Sequence, residues 1–229
     1  MLKIIKKNIY NNKKNIIIND NINNFIKKKK FQHNFLKKKN FYKSIAFLGP
    51  MGSYSHLATL FYIKKNFFKK TFLNISCHNF TEIFFFIKNK FINLAIVPIY
   101  NNCTGLIKEV SILLKKNYFL FIKNSFFLPI QHCLVSSKKN IILNKIEKIF
   151  SHAEPLNQCS IFINKHPQWE LKYCSSSSLA MKLIKFSSSE KSAAIGNKIS
   201  AKLYNLYILK NKISNIINNK TNFLVLEKF

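Results

Sequence analysis

The feature that most narrows what this chain can fold into is a repeated pairing of a short apolar run, a turn, and a segment with helical spacing. Residues 45–48 (Ile45, Ala46, Phe47, Leu48) stop at Gly49-Pro50 and read as a buried strand entering a turn. Residues 55–67 follow with helix-compatible spacing of Leu57, Leu60, Phe61 and Ile63. The pattern continues with a strand at 72–77, a helix at 81–90 beginning near Thr81, a strand at 94–99 closed by polar residues, and a helix at 106–114. The second half opens with strand-like stretches at 118–122 and 131–135. Ile149-Phe150 then leads to a loop and a helix from about 156 to 164, a strand at 169–173, a helix at 178–186, a short strand at 193–196, a helix at 199–204 and a closing strand at 222–226. Strands that alternate with helices predict α/β layers with mostly parallel sheets. The 229 residues suffice for one large domain or two small ones with a real core.

Residues 1–43 break this pattern. They are rich in Lys and Asn, with runs such as Lys27-Lys28-Lys29-Lys30, and contain neither Gly nor Pro. Like-charge blocks of low complexity predict a frayed or partly helical extension outside the packed domain. The whole chain carries a formal net charge of +30, which ordinarily points to a polyanionic partner. Here every basic residue is Lys and none is Arg, while Asn, Ile, Phe and Tyr abound. These are residues of A- and T-rich codons. A nucleic-acid reader would retain Arg, whose planar fork matches phosphate and guanine edges. No specific nucleic-acid partner is therefore expected, only salt-sensitive sticking.

The five cysteines form no C-x-x-C pair, so neither a disulfide framework nor a zinc ribbon is expected. No apolar run approaches the roughly 18 residues needed to cross a bilayer, and Lys and Asn interrupt the basic start before a signal h-region forms. The expectation is a cytoplasmic protein with no membrane partner.

Five segments carry candidate chemistry. Gly49-Pro50-Met51-Gly52-Ser53-Tyr54-Ser55-His56 places glycines and hydroxyls between a strand and a helix, where backbone N–H groups can gather for a carboxylate or phosphate. No Gly-Lys-Ser/Thr follows, so it is not a P-loop. Val97 to Gly105 puts Asn101, Thr104 and Gly105 at a strand end, a common position for ligand contacts, although Asn102 or Thr104 would also serve as a helix cap. Ser151 to Cys159 contains His152, Glu154 and Gln158; a His on a loop is more often structural than an acid–base catalyst. Ser175-Ser176-Ser177-Ser178 opens a helix and reads either as an anion site or as a redundant cap. Thr221-Asn222-Phe223 lies on the closing strand.

In order and spacing, these segments resemble prephenate dehydratase. The likeness spans about residues 44 to 228 and includes residues 45–56, Val97-Pro98-Ile99 with Asn101 and Gly105, Gln131-His132-Cys133-Leu134, Ser151-His152, Gln158-Cys159, Ala193-Ala194-Ile195-Gly196-Asn197 and Thr221-Asn222-Phe223. The resemblance implies an α/β, two-lobed type II periplasmic-binding-protein-like fold with the site in the inter-lobe cleft. It implies lobe 1 at about 44–118 plus 198–229 and lobe 2 at about 119–197. The implied reaction takes prephenate to phenylpyruvate with loss of CO2 and the ring hydroxyl, in phenylalanine biosynthesis, without cofactor or metal. Thr221 would be catalytic. Ser53, Tyr54, Ser55, Asn101, Thr104, Gly105, Gln158, Ser177, Asn222 and Phe223 would bind substrate. A homodimer is the expected assembly.

The chain departs from the family pattern at two positions. Tyr100 stands where the family has Glu, and Asn222 where it has Arg. Asn replaces a bidentate carboxylate donor only with a weaker neutral one. The alternative reading is a degenerate dehydratase fold that binds a small dicarboxylate without turnover. Residues 1–43 are too short for the chorismate mutase domain of bacterial relatives, and the chain ends just past the closing strand, so inhibition through an ACT domain is not expected.

Overall fold

Two units divide the chain: residues 1–49, 55–128 and 221–229 form one, and residues 50–54 and 129–220 the other. The structure, a computed structural model, describes the backbone at residues 10–12 and 15–18 and the whole of residues 43–67, 70–187 and 189–228.

In chain order the elements are β1 (Tyr10–Asn12), β2 (Asn15–Ile18), β3 (Lys43–Leu48), α1 (Tyr54–Asn66), β4 (Phe72–Cys77), α2 (Phe80–Lys88), β5 (Leu94–Asn101), β6 (Gly105–Leu106), α3 (Lys108–Lys116) and β7 (Leu120–Pro129). The second half adds β8 (Cys133–Ser136), β9 (Lys148–Ser151), α4 (Ala153–Gln158), α5 (Ser160–Ile163), β10 (Glu170–Tyr173), α6 (Ser177–Ser187), β11 (Ser192–Gly196), α7 (Lys198–Leu203), β12 (Tyr207–Lys210) and the closing β13 (Lys220–Lys228).

The first unit is built on a sheet of order β1-β2-β4-β3-β5-β13-β7, with β6 paired to β5. Its centre is parallel, as the strand–helix alternation requires: β4 pairs β3 and β3 pairs β5 in parallel. The buried run of β4 and the apolar face of α2 meet in one core, where Leu73, Ile75, Phe84, Phe86, Ile87, Val97 and Leu226 are nearly or fully buried. Each such side chain contributes about 1.5–3 kcal/mol of apolar burial. Asn79 caps α2, accepting from the Glu82 N–H, and Glu82 Oε2 returns to the His78 N–H.

The sheets are mixed rather than mostly parallel. β13 runs antiparallel to β5, because the chain returns from the other unit and is not bound by a crossover helix. In the second unit, of order β10-β9-β11-β8-β12, β9 is parallel to β10 and β11, whereas β8 runs antiparallel to β11 and β12.

The unit boundaries also differ from the expected lobes. Strand β7 lies in the first unit, and α7 and β12 belong to the second, where β12 hydrogen-bonds β8. Residues 10–12 and 15–18 of the N-terminal extension form strands, the second parallel to β4, and Lys43 opens β3, so part of that extension is sheet; its other residues lie outside the described ones. The predicted helix at 156–164 is two short helices separated at Cys159.

Candidate active site

In the first unit, antiparallel register brings Thr221 opposite Asn101 across 120 residues of chain. Asn101 ends β5. Its Oδ1 accepts from the backbone N–H groups of Cys103 (2.9 Å) and Thr104 (3.1 Å). Two donors on the oxygen orient the amide, so the nitrogen must face the other way. There Nδ2 donates to Thr221 Oγ1 at 2.8 Å. The threonine oxygen is thus already an acceptor, and its own proton is left to donate. Among the described residues the Asn101 amide is the one partner of this hydroxyl. Both residues are 7% exposed, which strengthens the bond and excludes most competing water.

The turn beyond Asn101 closes on Gly105 with φ +80°, a conformation suited to glycine. No heavy atom lies within 4 Å of a Cβ built there, so the space in front of Gly105 is open. Thr104 is exposed at the same turn, its hydroxyl 3.4 Å from Asn101 Oδ1.

The other two members of the triplet do not join Thr221. Successive strand residues face opposite sides of a sheet, so Asn222 points away from Thr221. Its Oδ1 accepts from the Ser125 hydroxyl on β7 at 2.8 Å. In register Asn222 stands opposite Tyr100, so the two departures from the family pattern are cross-strand partners. Phe223, expected to touch substrate, is 1% exposed and stacks on Phe126 with ring centroids 6.1 Å apart. It is a core residue that anchors the strand. Between Asn222 and Phe223 the register shifts, leaving Ile99 as a bulge beside Pro98, which has no N–H to give the ladder.

In the second unit, Ser53 N–H donates to Pro50 O at 3.0 Å, closing a turn with Gly52 at φ +83°. A positive φ at the third turn position defines type II and calls for glycine. Side chains clamp this turn. Gly52 O accepts from Asn197 Nδ2 (2.7 Å) and Ser200 Oγ (2.5 Å), and Met51 O accepts from the Ser178 hydroxyl and from Tyr204 at 3.4 Å. A Cβ on Gly52 would lie 2.4 Å from Ser200 Oγ. Asn197 also caps α7, accepting from the N–H groups of Ile199 and Ser200. Sequence reasoning missed this clamp. Its one local signal was an Asn preceding a helix, which reads as a cap and says nothing of a second partner.

The serine run divides its tasks. Ser176 accepts from the Leu179 N–H at 3.0 Å as a cap, Ser178 holds the turn, and half-buried Ser177 keeps a hydroxyl with no partner among the described residues. Tyr54 and Ser55 turn inward. Burial pushes the Tyr54 pKa well up, and its hydroxyl donates to Gln131 O at 2.7 Å, while Ser55 is 6% exposed in the first turn of α1. His152 is a cap, its Nδ1 accepting from the Glu154 N–H at 3.2 Å, which favours the structural reading of that histidine. Gln158 is half-buried and tied to His132 and Glu154. Among the described residues the five cysteines form no disulfide. Among the described residues no helix is long and apolar enough to cross a membrane.

Fold and site together define an α/β protein of two units, with an oriented neutral hydroxyl in one and a clamped Gly–Ser turn in the other. The chain belongs to the prephenate dehydratase family, whose model matches residues 45–229. It is 43% identical over 201 residues to the bifunctional chorismate mutase/prephenate dehydratase of Buchnera aphidicola subsp. Acyrthosiphon pisum, covering 87% of this chain and 50% of that protein. It is 40% identical over 185 residues to the bifunctional protein from Buchnera aphidicola subsp. Schizaphis graminum, covering 81% of this chain and 47% of the relative. The chain thus spans about half the length of these relatives. The crystal structure of prephenate dehydratase in complex with L-Phe from Arthrobacter aurescens shares the fold at TM-score 0.71 and 21% identity, covering 81% of this chain and 60% of that one.

Proposed function

We propose that this chain catalyses the decarboxylating dehydration of prephenate to phenylpyruvate, a carbon–oxygen lyase reaction serving phenylalanine biosynthesis in the cytoplasm. The carboxylate carbon bond breaks, its electron pair enters the ring, and the hydroxyl on the opposite ring carbon leaves with a proton as water. Aromatisation supplies the driving force. The catalytic need is a donor placed on the departing hydroxyl and contacts that hold two carboxylates.

The observation that carries this reading is the Asn101–Thr221 pair. The amide N–H on Thr221 Oγ1 stabilises negative charge building on that oxygen as its proton moves toward the leaving group. A neutral donor suits a substrate with two negative charges, since it adds no repulsion. Ser53, Ser177, Thr104, the one remaining N–H of Gln158 and the open space at Gly105 are assigned to the substrate. Tyr54, Ser55, Asn222 and Phe223 are assigned supporting roles: Tyr54 and Asn222 hydrogen-bond Gln131 and Ser125, and Ser55 and Phe223 are buried.

The test is purified protein with prephenate at neutral pH, following phenylpyruvate by its absorbance in base against a no-enzyme control. Turnover above the control that falls at least ~100-fold in Thr221→Ala is expected. No rate above the control would refute the enzyme reading and favour the non-catalytic dicarboxylate binder. A fully active Thr221→Ala protein would refute the role of the hydroxyl.

A further inference from the structure

A hydrogen-bonded chain in the second unit runs from His132 through Gln158 to Glu154. His132 precedes β8 and is 2% exposed; Gln158 ends α4. Gln158 Nε2 lies 2.9 Å from Glu154 Oε1, and Gln158 Oε1 lies 2.8 Å from His132 Nε2. Polarity decides the protons. An ionised carboxylate only accepts, so the Gln158 nitrogen must face Glu154 and its oxygen must face His132. His132 Nε2 therefore carries the proton. Asn219 Nδ2, 3.3 Å from the same Gln158 oxygen, requires the same orientation. Burial pushes the His132 pKa down, against the weaker upward pulls of Gln158 and Glu154, so the ring is neutral and its Nδ1 is an acceptor. That nitrogen lies 3.3 Å from the Tyr54 oxygen, whose proton goes to Gln131 O, and the His132 backbone N–H is held by Ser214 Oγ at 3.1 Å.

The consequence falls on Gln158. Both lone pairs of its oxygen and one N–H of its nitrogen are engaged, which leaves a single N–H of fixed direction without a partner among the described residues. The geometry points to His132 as a positioning residue for substrate binding: its Nε2–H locks the Gln158 amide so that this remaining N–H is presented to a carboxylate oxygen of the substrate. This rests on the dehydratase reading above. It assigns His132 no contact with the reacting atoms, only control of the side chain that binds.

Five variants of the full chain test it, each checked for an unchanged urea midpoint. His132→Phe keeps the ring volume but loses the donor, and KM should rise about tenfold with kcat nearly unchanged, the loss of one hydrogen bond to a charged group. His132→Gln places an amide N–H near the former Nε2 and should restore KM, whereas His132→Asn is too short to reach and should not. Gln158→Leu should raise KM as His132→Phe does, and the double variant should be no worse than Gln158→Leu alone. An unaltered KM in both His132→Phe and His132→Asn, or additive losses in the double variant, would overturn the positioning role while leaving the dehydratase intact. Absence of turnover in the wild-type chain would instead overturn the dehydratase reading. The histidine ring nitrogen shifts are read in either case: an Nε2-protonated neutral ring is expected, and an Nδ1-protonated one overturns the proposal.

Discussion

Replacing Asn101 with Asp reverses one hydrogen bond and leaves the rest of its surroundings intact. The Oδ1 position can still accept from Cys103 and Thr104, so the turn that closes β5 survives. The other carboxylate oxygen now stands where the amide nitrogen was, 2.8 Å from Thr221 Oγ1. An ionised carboxylate only accepts, so the Thr221 proton turns inward to it. An O–H donor held by a carboxylate is bound about twice as strongly as by a neutral partner, and it is withdrawn from the substrate. Removing one preorganised donor from a developing oxyanion or leaving group costs about 2.7–4 kcal/mol, or ~10²–10³ in kcat. The new negative charge beside a dianionic substrate adds to the loss. Asn101→Asp should therefore lose at least ~100-fold in kcat at pH 7.5 while its unfolding free energy in urea stays within about 1 kcal/mol of wild type. Acid gives a distinguishing signature. Once the Asp is protonated it can again donate to Thr221, so the ratio of wild-type to mutant kcat should narrow as pH falls, with the spontaneous aromatisation of prephenate subtracted at each pH. A mutant with wild-type kcat at pH 7.5 would refute the argument that the Thr221 proton is the group used.

Other perturbations follow from the same geometry. Gly52→Ala sets a Cβ 2.4 Å from Ser200 Oγ at φ +83°, and should destabilise the protein by about 1–3 kcal/mol, read by urea unfolding. Phe223→Ala removes a ring stacked on Phe126 and should cost about 3–5 kcal/mol of stability, with any loss of activity following the loss of fold. Because Tyr100 and Asn222 are cross-strand partners, Asn222→Arg alone should give no gain in kcat/KM, and a double-mutant cycle with Tyr100→Glu should show favourable coupling of about 0.2–1 kcal/mol. Glu227 is partly desolvated, which raises its pKa, but Lys123 and Lys43 outweigh this and the net shift is down. A carboxylate depressed on folding stabilises the protein above its unfolded pKa and loses that effect as pH falls through the folded value. The stability difference between wild type and Glu227→Gln should therefore shrink on acidification from pH 7 to pH 3, and also in high salt.

Much of this protein was legible in its sequence, and for definite reasons. Short apolar runs ended by Gly-Pro or polar residues forced buried strands, and helical spacing after them forced crossovers, so β3, α1, β4, α2 and β5 lie close to where the pattern puts them. Collinear motifs pointed to the family, and Thr221 and Asn101 stood out singly within them. What the sequence could not show is which of these residues meet. The bond between Asn101 and Thr221 depends on β13 returning antiparallel in one particular register, and register arises from packing across the whole sheet. The same register puts Asn222 on the opposite face and beside Tyr100. Read along the chain, the two departures look like two separate losses; read across the strands, they are one changed pair. The destiny of Phe223 was equally hidden, since a motif aromatic and a core aromatic are the same residue until burial distinguishes them. Local sequence thus determined the elements and the identity of the catalytic candidate, because periodicity and turn chemistry act over a few residues. Tertiary structure alone decided the direction of its proton, because that direction is set by an amide 120 positions away whose own orientation depends on the turn that follows it.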